Sequence, residues 1–301
     1  MPTQPRSPPV CSAPGPTFAE GESPTSRRGS MGTSGCLSAL PGWCGGQEEL
    51  MDNRGKIAVV TGGNKGIGYQ IVRQLAAAGL TVYLGARDVE RGSTAAEKLV
   101  ADGLDVRVLR LDVTDPSSVG VAAEQVAGDF GRLDVLVNNA GVVVEWGIPV
   151  SEITAEQLRT AFDTNVFGVV TVTNAFLPLL RRSAAARIVN MSSPLGSLTL
   201  LSDPDNPIST RGLLAYSSSK AALNAVTVLY ANALRASGAK VNSANPGLAA
   251  TDLNADSPFS RGVLTAEQAA AVPVRLALLD ADGPTGAFLG ADGPAETVIP
   301  W

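Results

Sequence analysis

From Lys56 onward the chain alternates short apolar runs with longer segments in which apolar residues recur every three or four positions. The first pattern is that of a buried strand and the second that of an amphipathic helix. The runs at 57–60, 80–84, 106–111, 133–137, 187–191, 240–244 and 287–289 predict strands. Between them the helical spacing predicts helices over 67–76, 90–101, 117–130, 154–180, 216–236 and 265–279. Gly79 is placed to end the first of these, and Thr154 with Gln157 forms a capping box at the start of the fourth. Strands apolar on both faces and separated by helices belong to a parallel sheet covered on both sides. The expectation is one α/β domain over 51–301, a doubly wound sheet of about seven strands.

Residues 1–50 break this pattern. They are rich in proline, glycine and serine, show neither period, and read as a disordered tail or an over-extended N-terminus, with Met51 just ahead of the first strand. No continuous apolar stretch suggests a secretory signal, and none approaches a membrane span, so a cytoplasmic protein is expected. The net charge of −5 argues against a nucleic-acid partner and leaves a small molecule. Cys11, Cys36 and Cys44 all lie in the tail, and the chain contains no histidine. Imidazole bases, Ser-His-Asp triads and histidine-ligated metals are thereby excluded, and no metal site is expected. Proton transfer has to use other side chains.

The first strand runs into Gly62, Asn64, Lys65, Gly66, Ile67 and Gly68, and a helix follows at once. In that context Gly62 lets the chain reverse, Gly66 lets the backbone approach a pyrophosphate, and Gly68 lets the helix pack close to the strand. After the second strand come Ala86 and Arg87. An acidic residue at this strand end would hold a ribose 2′-hydroxyl, whereas a cation suits a 2′-phosphate, with Lys65 available as a second one. Asn138, Asn139, Ala140 and Gly141 end the fourth strand, where two amides can tie neighbouring strands and a glycine leaves bare backbone for a ribose. Asn165, inside an apolar helical pattern, is either a satisfied core amide or a water-holding one. Ser192 and Ser193 follow the fifth strand, at the sheet edge where ligands bind. Tyr216 and Lys220, four apart, share one helical face.

Taken in order between residues 56 and 251, these motifs resemble the classical short-chain dehydrogenases/reductases. The TGGNKGIG turn and the Ala86-Arg87 strand end are similar to those of the NADPH-dependent carbonyl reductases. The resemblance implies a Rossmann-type sheet of order 3-2-1-4-5-6-7 and hydride transfer between NADPH or NADP+ and a carbonyl or alcohol carbon. It makes Tyr216 the acid or base, Ser193 the group that holds the carbonyl oxygen, Lys220 the ribose ligand that favours tyrosinate, and Asn165 the holder of a water. Ser193 stands three residues before Gly196, as the family's serine does, while Ser192 is left to bond locally. Asp112 and Val113 would lie beside the adenine, Asn139, Ala140 and Gly141 beside the ribose, Pro246 and Gly247 under the nicotinamide, and Thr251 against phosphate or amide.

Val142, Trp146, Leu195, Leu198, Leu201 and Leu248 suggest an apolar substrate, and 252–265 reads as a mobile lid. Trp301 either covers the pocket or packs on the core. The rival reading is a non-catalytic NADP-sensing regulator on the same fold, which would need no Ser193, Tyr216 and Lys220 together. Both a monomer and a homo-oligomer are compatible with the sequence.

Overall fold

The computed structural model describes residues 53–292 and 295–301, so the expectations for residues 1–50 lie outside the described residues. The strands are β1 (Ile57–Thr61), β2 (Thr81–Ala86), β3 (Val106–Arg110), β4 (Val135–Asn138), β5 (Arg187–Met191), β6 (Lys240–Asn245), β7 (Phe288–Asp292) and β8 (Ala295–Val298). They form one sheet of order β3-β2-β1-β4-β5-β6-β7-β8, parallel except for the last pair. The helices are α1 (Gly66–Ala77), α2 (Val89–Ala101), α3 (Pro116–Phe130), α4 (Ala155–Phe162), α5 (Gly168–Leu180), α6 (Leu198–Ser202), α7 (Leu214–Leu234), α8 (Ala266–Ala269) and α9 (Ala271–Ala277).

The inner strands are buried along their length because alternate residues serve two cores. Ala58 and Val60 of β1 point to one face, where Leu75 of α1, Leu99 of α2 and Leu276 of α9 cover them. Ile57 and Val59 point to the other, against Val119 of α3, Phe176 of α5 and Leu234 of α7. Along β1, β2, β4 and β5 every side chain is thus removed from water on one side or the other, the dominant favourable term for a sheet of this kind, whereas β3 at the sheet edge exposes Arg107 and Arg110.

Several expected boundaries shift. β2 starts at Thr81, which pairs with Ile57, and extends to Ala86, while Leu80 is buried in the turn before it. The expected helix over 154–180 is broken by a wider π-helical turn, Asp163–Phe167, in which the amide of Gly168 reaches back to the carbonyl of Asp163. The helix carrying Tyr216 begins two residues earlier, at Leu214, and gives way after Leu234 to the 3₁₀ turn Arg235–Ser237. The expected helix at 265–279 divides at Ala270, because Pro273 has no amide to offer the carbonyl of Ala269. β8 was not expected. The expected lid is internally tied: buried Asn254 donates to the carbonyls of Ala249 and Arg261, at 3.1 and 3.2 Å, and Arg261 donates to the carbonyl of Thr251 at 2.6 Å. Trp301 packs on the core, stacked on Phe288 with ring centroids 5.6 Å apart, and its carbonyl accepts the amide of Thr199.

At the opposite edge from the glycine turn, Asp134 joins three elements. Its carboxylate accepts the amide of Ile57 at 2.9 Å, the hydroxyl of Ser183 at 2.6 Å and Nε of Arg132 at 3.2 Å. Truncation would leave a buried strand amide and a hydroxyl without acceptors, so Asp134→Ala is expected to lower stability by about 2 kcal/mol or more. Urea denaturation measures this, and an unchanged midpoint would contradict the account.

Candidate active site

The site begins where β1 ends. Gly62 and Gly66 adopt φ of 64° and 56°, a region that disfavours side chains, and the amide of Gly63 donates to the carbonyl of Gly85 at 2.9 Å. Gly68 has no room for a Cβ, which would run into the carbonyl of Gly62 and the side-chain amide of Asn139. The turn is held from β4: Asn139 Nδ2 donates to the carbonyls of Thr61 and Gly62, at 2.9 and 3.1 Å, while Thr61 Oγ1 accepts the amides of Asn139 and Ala140. Lys65 occupies the cap position of α1 without making a side-chain cap, unlike Asp88 on α2 and Asp115 on α3. The first amides of α1 therefore remain available to an anion.

Sixteen of the residues expected to bind the cofactor line one cleft above the strand ends: Gly62, Asn64, Lys65, Gly66, Ile67, Gly68, Arg87, Asp112, Val113, Asn139, Ala140, Gly141, Tyr216, Lys220, Pro246 and Thr251. Leu111, Thr114, Val142, Thr164, Met191, Ser192, Asp252 and Leu253 complete the lining and were not anticipated as cofactor contacts. At one end of the cleft, Lys65 is engaged in an exposed ion pair with Asp252 at 2.8 Å, whereas Arg87 makes no ion pair among the described residues. Asp112 closes an Asx turn, accepting the amide and hydroxyl of Thr114, at 3.0 and 2.8 Å; the cap of α3 is Asp115 instead. Gly247, at φ 76°, turns the chain beside Leu264 and is absent from the cleft wall.

The other end of the cleft stands on a buried network of neutral polar side chains. Asn138 donates to Asn190 at 2.8 Å and to Thr173 at 3.2 Å, and Asn190 donates to Thr227 at 2.9 Å. The Ser243 hydroxyl lies 3.0 Å from Thr227 Oγ1 and 3.1 Å from Asn224 Oδ1, which also accepts from Ser192 at 2.7 Å. The network ties β4, β5 and β6 to α5 and α7. It also separates the two serines, since Ser192 bonds inward to Asn224 while Ser193 Oγ accepts the amide of Leu195 at 3.2 Å and lies where it lowers the pKa of Tyr216.

Asn165 lies in the π-helical turn and is fully buried. Its Nδ2 donates to the carbonyl of Val142 and to Ser219 Oγ, both at 3.0 Å, and its Oδ1 accepts the amide of Val142 at 2.9 Å. Both N–H groups are used, so its side chain is a satisfied core amide with one lone pair left on Oδ1. Lys220 Nζ donates to the carbonyl of Met191 at 2.8 Å and stands 5.5 Å from the centre of the Tyr216 ring. Burial pushes the Lys220 ammonium down to about 8 and the Tyr216 phenol up to about 12, with the Ser193 side chain opposing the latter shift. In the polypeptide alone Tyr216 is held protonated, opposite to the lowering that base catalysis near neutrality requires.

The pattern Ser193-x-x-Gly196 has a steric meaning. A Cβ on Gly196 would come within 2.6 to 2.7 Å of the Lys220 backbone carbon and Cβ, so only glycine lets this loop lie against α7. Leu198 and Leu201 face away from the cleft and line a separate groove with Val150 and Leu214. Trp146 donates its indole N–H to the carbonyl of Leu253 at 3.0 Å. Sequence reasoning missed Glu145, a lone acid in an apolar stretch. Its carboxylate accepts the amides of Ala215 and Tyr216.

Comparison with known proteins agrees with this architecture. The family model described as short chain dehydrogenase matches residues 56–260. The (+)-neomenthol dehydrogenase of Arabidopsis thaliana is 35% identical, over 80% of this chain and 98% of that protein. The structure of salutaridine reductase from Papaver somniferum has a TM-score of 0.67 at 35% identity, covering 77% of this chain and 99% of that one. The Pseudomonas aeruginosa RhlG/NADP active-site complex has a TM-score of 0.69 at 30% identity, covering 80% of this chain and 96% of that one. The fold agrees with these similarities, and the chain belongs to the short-chain dehydrogenase/reductase family of nicotinamide-dependent oxidoreductases.

Proposed function

We propose that the protein is an NADP(H)-dependent reductase of small apolar carbonyl compounds, acting reversibly on the corresponding alcohols, with Tyr216 as the acid or base. The observation that carries this reading is that Tyr216 and Lys220, one helical turn apart on α7, line the same cleft as the uncapped start of α1.

The residues present fit a dinucleotide. The glycine turn and the free N–H groups of α1 suit a pyrophosphate, and Arg87, with Ala86 in place of an acid, suits a 2′-phosphate. Lys65 would join Arg87 once released from Asp252. NADPH bound there supplies the hydride that reduces the carbonyl carbon. Ser193 donates a hydrogen bond to the carbonyl oxygen, and Tyr216 donates the proton that makes it a hydroxyl. Raised by burial, the phenol enters the reaction with its proton in place, while the Lys220 charge stabilises the tyrosinate left behind. The remaining lone pair on Asn165 Oδ1 holds a water through which the proton is restored. Val142 on the cleft wall, with Trp146 close by, favours apolar substrates, in keeping with the alicyclic and alkaloid compounds in the names of the similar proteins.

A panel of menthone, cyclohexanone and phenanthrenequinone, followed by NADPH absorbance, tests the reading. Tyr216→Phe is expected to abolish turnover of whichever ketone the parent reduces fastest, while NADPH still binds. Retained turnover would remove Tyr216 from the mechanism. Arg87→Leu is expected to lower the ratio of kcat/KM for NADPH over NADH by tenfold to a hundredfold, the worth of about 1.5–3 kcal/mol for a charge-assisted contact. Equal use of both cofactors by the parent would overturn the assignment of Arg87. Because kcat/KM reports groups of the free enzyme, the value for NADPH should fall as pH rises through about 8, where Lys220 loses its proton. Tyr216 remains protonated over that range and sets no limit; a flat profile from pH 7 to 10 would contradict the role of Lys220.

A further inference from the structure

We infer that Glu145 is a positioning residue that fixes where Tyr216 stands, an inference that rests on the role proposed above for Tyr216. Glu145 lies in the loop between β4 and α4 and is fully buried, a costly place for a carboxylate unless its oxygens find donors. Both do. Oε2 accepts the amide of Ala215 at 2.9 Å, and Oε1 accepts the amide of Tyr216 itself at 2.6 Å.

These are first-turn amides of α7, which have no partner within the helix, and Leu213 at the cap position offers no side-chain acceptor. A carboxylate there also meets the positive end of the helix dipole. A helix that needed only a cap could carry it locally, as α2, α3 and α8 do with Asp88, Asp115 and Thr265. Here the acceptor comes from a loop 70 residues upstream, so the same two bonds both cap α7 and lock its first turn against the end of β4.

That loop is itself held on either side of Glu145. Val142 exchanges two hydrogen bonds with Asn165 in the π-helical turn, and Trp146 donates to the carbonyl of Leu253 in the loop after β6. Within five residues the chain therefore joins the π-helical turn, the catalytic helix and the cleft wall. Lys220 is anchored independently through the carbonyl of Met191, and the glycine turn through Asn139. Loss of the Glu145 bonds should loosen the first turn of α7, where Tyr216 stands, and leave the cofactor contacts in place.

The test uses full-length protein and the fastest ketone of the panel. Glu145→Gln keeps the size of the side chain but turns one acceptor oxygen into a donor facing an N–H. Its kcat should fall tenfold or more, with the dissociation constant for NADPH, from fluorescence titration, within about twofold of the parent. Glu145→Asp keeps both oxygens and should fall between the parent and the Gln variant, whereas a pure packing role would rank Gln above Asp. A Gln variant within twofold of the parent kcat, equal losses in kcat and NADPH affinity, or Gln above Asp would each overturn the inference. If the Gln variant fails to fold, the Asp variant is read alone: reduced kcat with unchanged NADPH binding supports the inference, and any other result overturns it. Full activity of Glu145→Gln beside an inactive Tyr216→Phe would remove this inference only. An active Tyr216→Phe would remove the mechanism on which it rests.

Discussion

Polar groups buried at the carboxyl ends of the strands have no water to bond, and the site is built around that constraint. At the ends of β4, β5 and β6 the chain places neutral amides and hydroxyls that bond one another, from Asn138 through Asn190 and Thr227 to Ser243, Asn224 and Ser192, with Asn138 Oδ1 left without a partner among the described residues. Neutral groups suit this place because an unpaired charge would have to be desolvated at far greater cost. The two charge-bearing groups buried here are tied to backbone, Lys220 to a carbonyl and Glu145 to two amides. With Ser192 drawn into the network, Ser193 is the serine left to meet Tyr216.

The opposite pull of burial on Lys220 and Tyr216 follows from the same surroundings. Desolvation disfavours the charged form of each, so the ammonium becomes more acidic and the phenol less so. A site arranged in this way starts with its proton in place on tyrosine and releases it when negative charge develops on the substrate oxygen. Oxidation of an alcohol would need further positive charge nearby to bring the phenol down.

The fold was largely legible because each strand repeats one signal, an apolar run between helical periods, and because Gly62, Gly66 and Gly68 have meaning only between a strand and a helix. Sixteen cofactor-binding expectations converge on one cleft for the same reason: strand ends in a parallel sheet share an edge. What escaped depends on tertiary partners. The π-helical turn at Asp163–Phe167 has no composition of its own and is fixed by the bonds of Asn165 to Val142 and Ser219. Glu145 reads as one acid among valines until α7 is brought to it. β8 is short and follows a Gly-Pro pair, so nothing local marked it, and the Asn254 ties that hold 252–265 together are equally invisible in a polar stretch broken by Pro258 and Gly262.

The close approach at Gly196 also bears on how this scaffold could be reshaped. Between Ser193 and Leu214 the chain carries a 3₁₀ turn, the short α6 and a second 3₁₀ turn, most of it at the surface, where side chains can be exchanged without disturbing either core. Gly196 is the pivot of that segment: one added carbon there would push the loop off α7 at Lys220. A combinatorial library aimed at new substrates can therefore vary the exposed positions of the segment widely, provided that Gly196 and the buried Ser197 and Leu213 are left unrandomised.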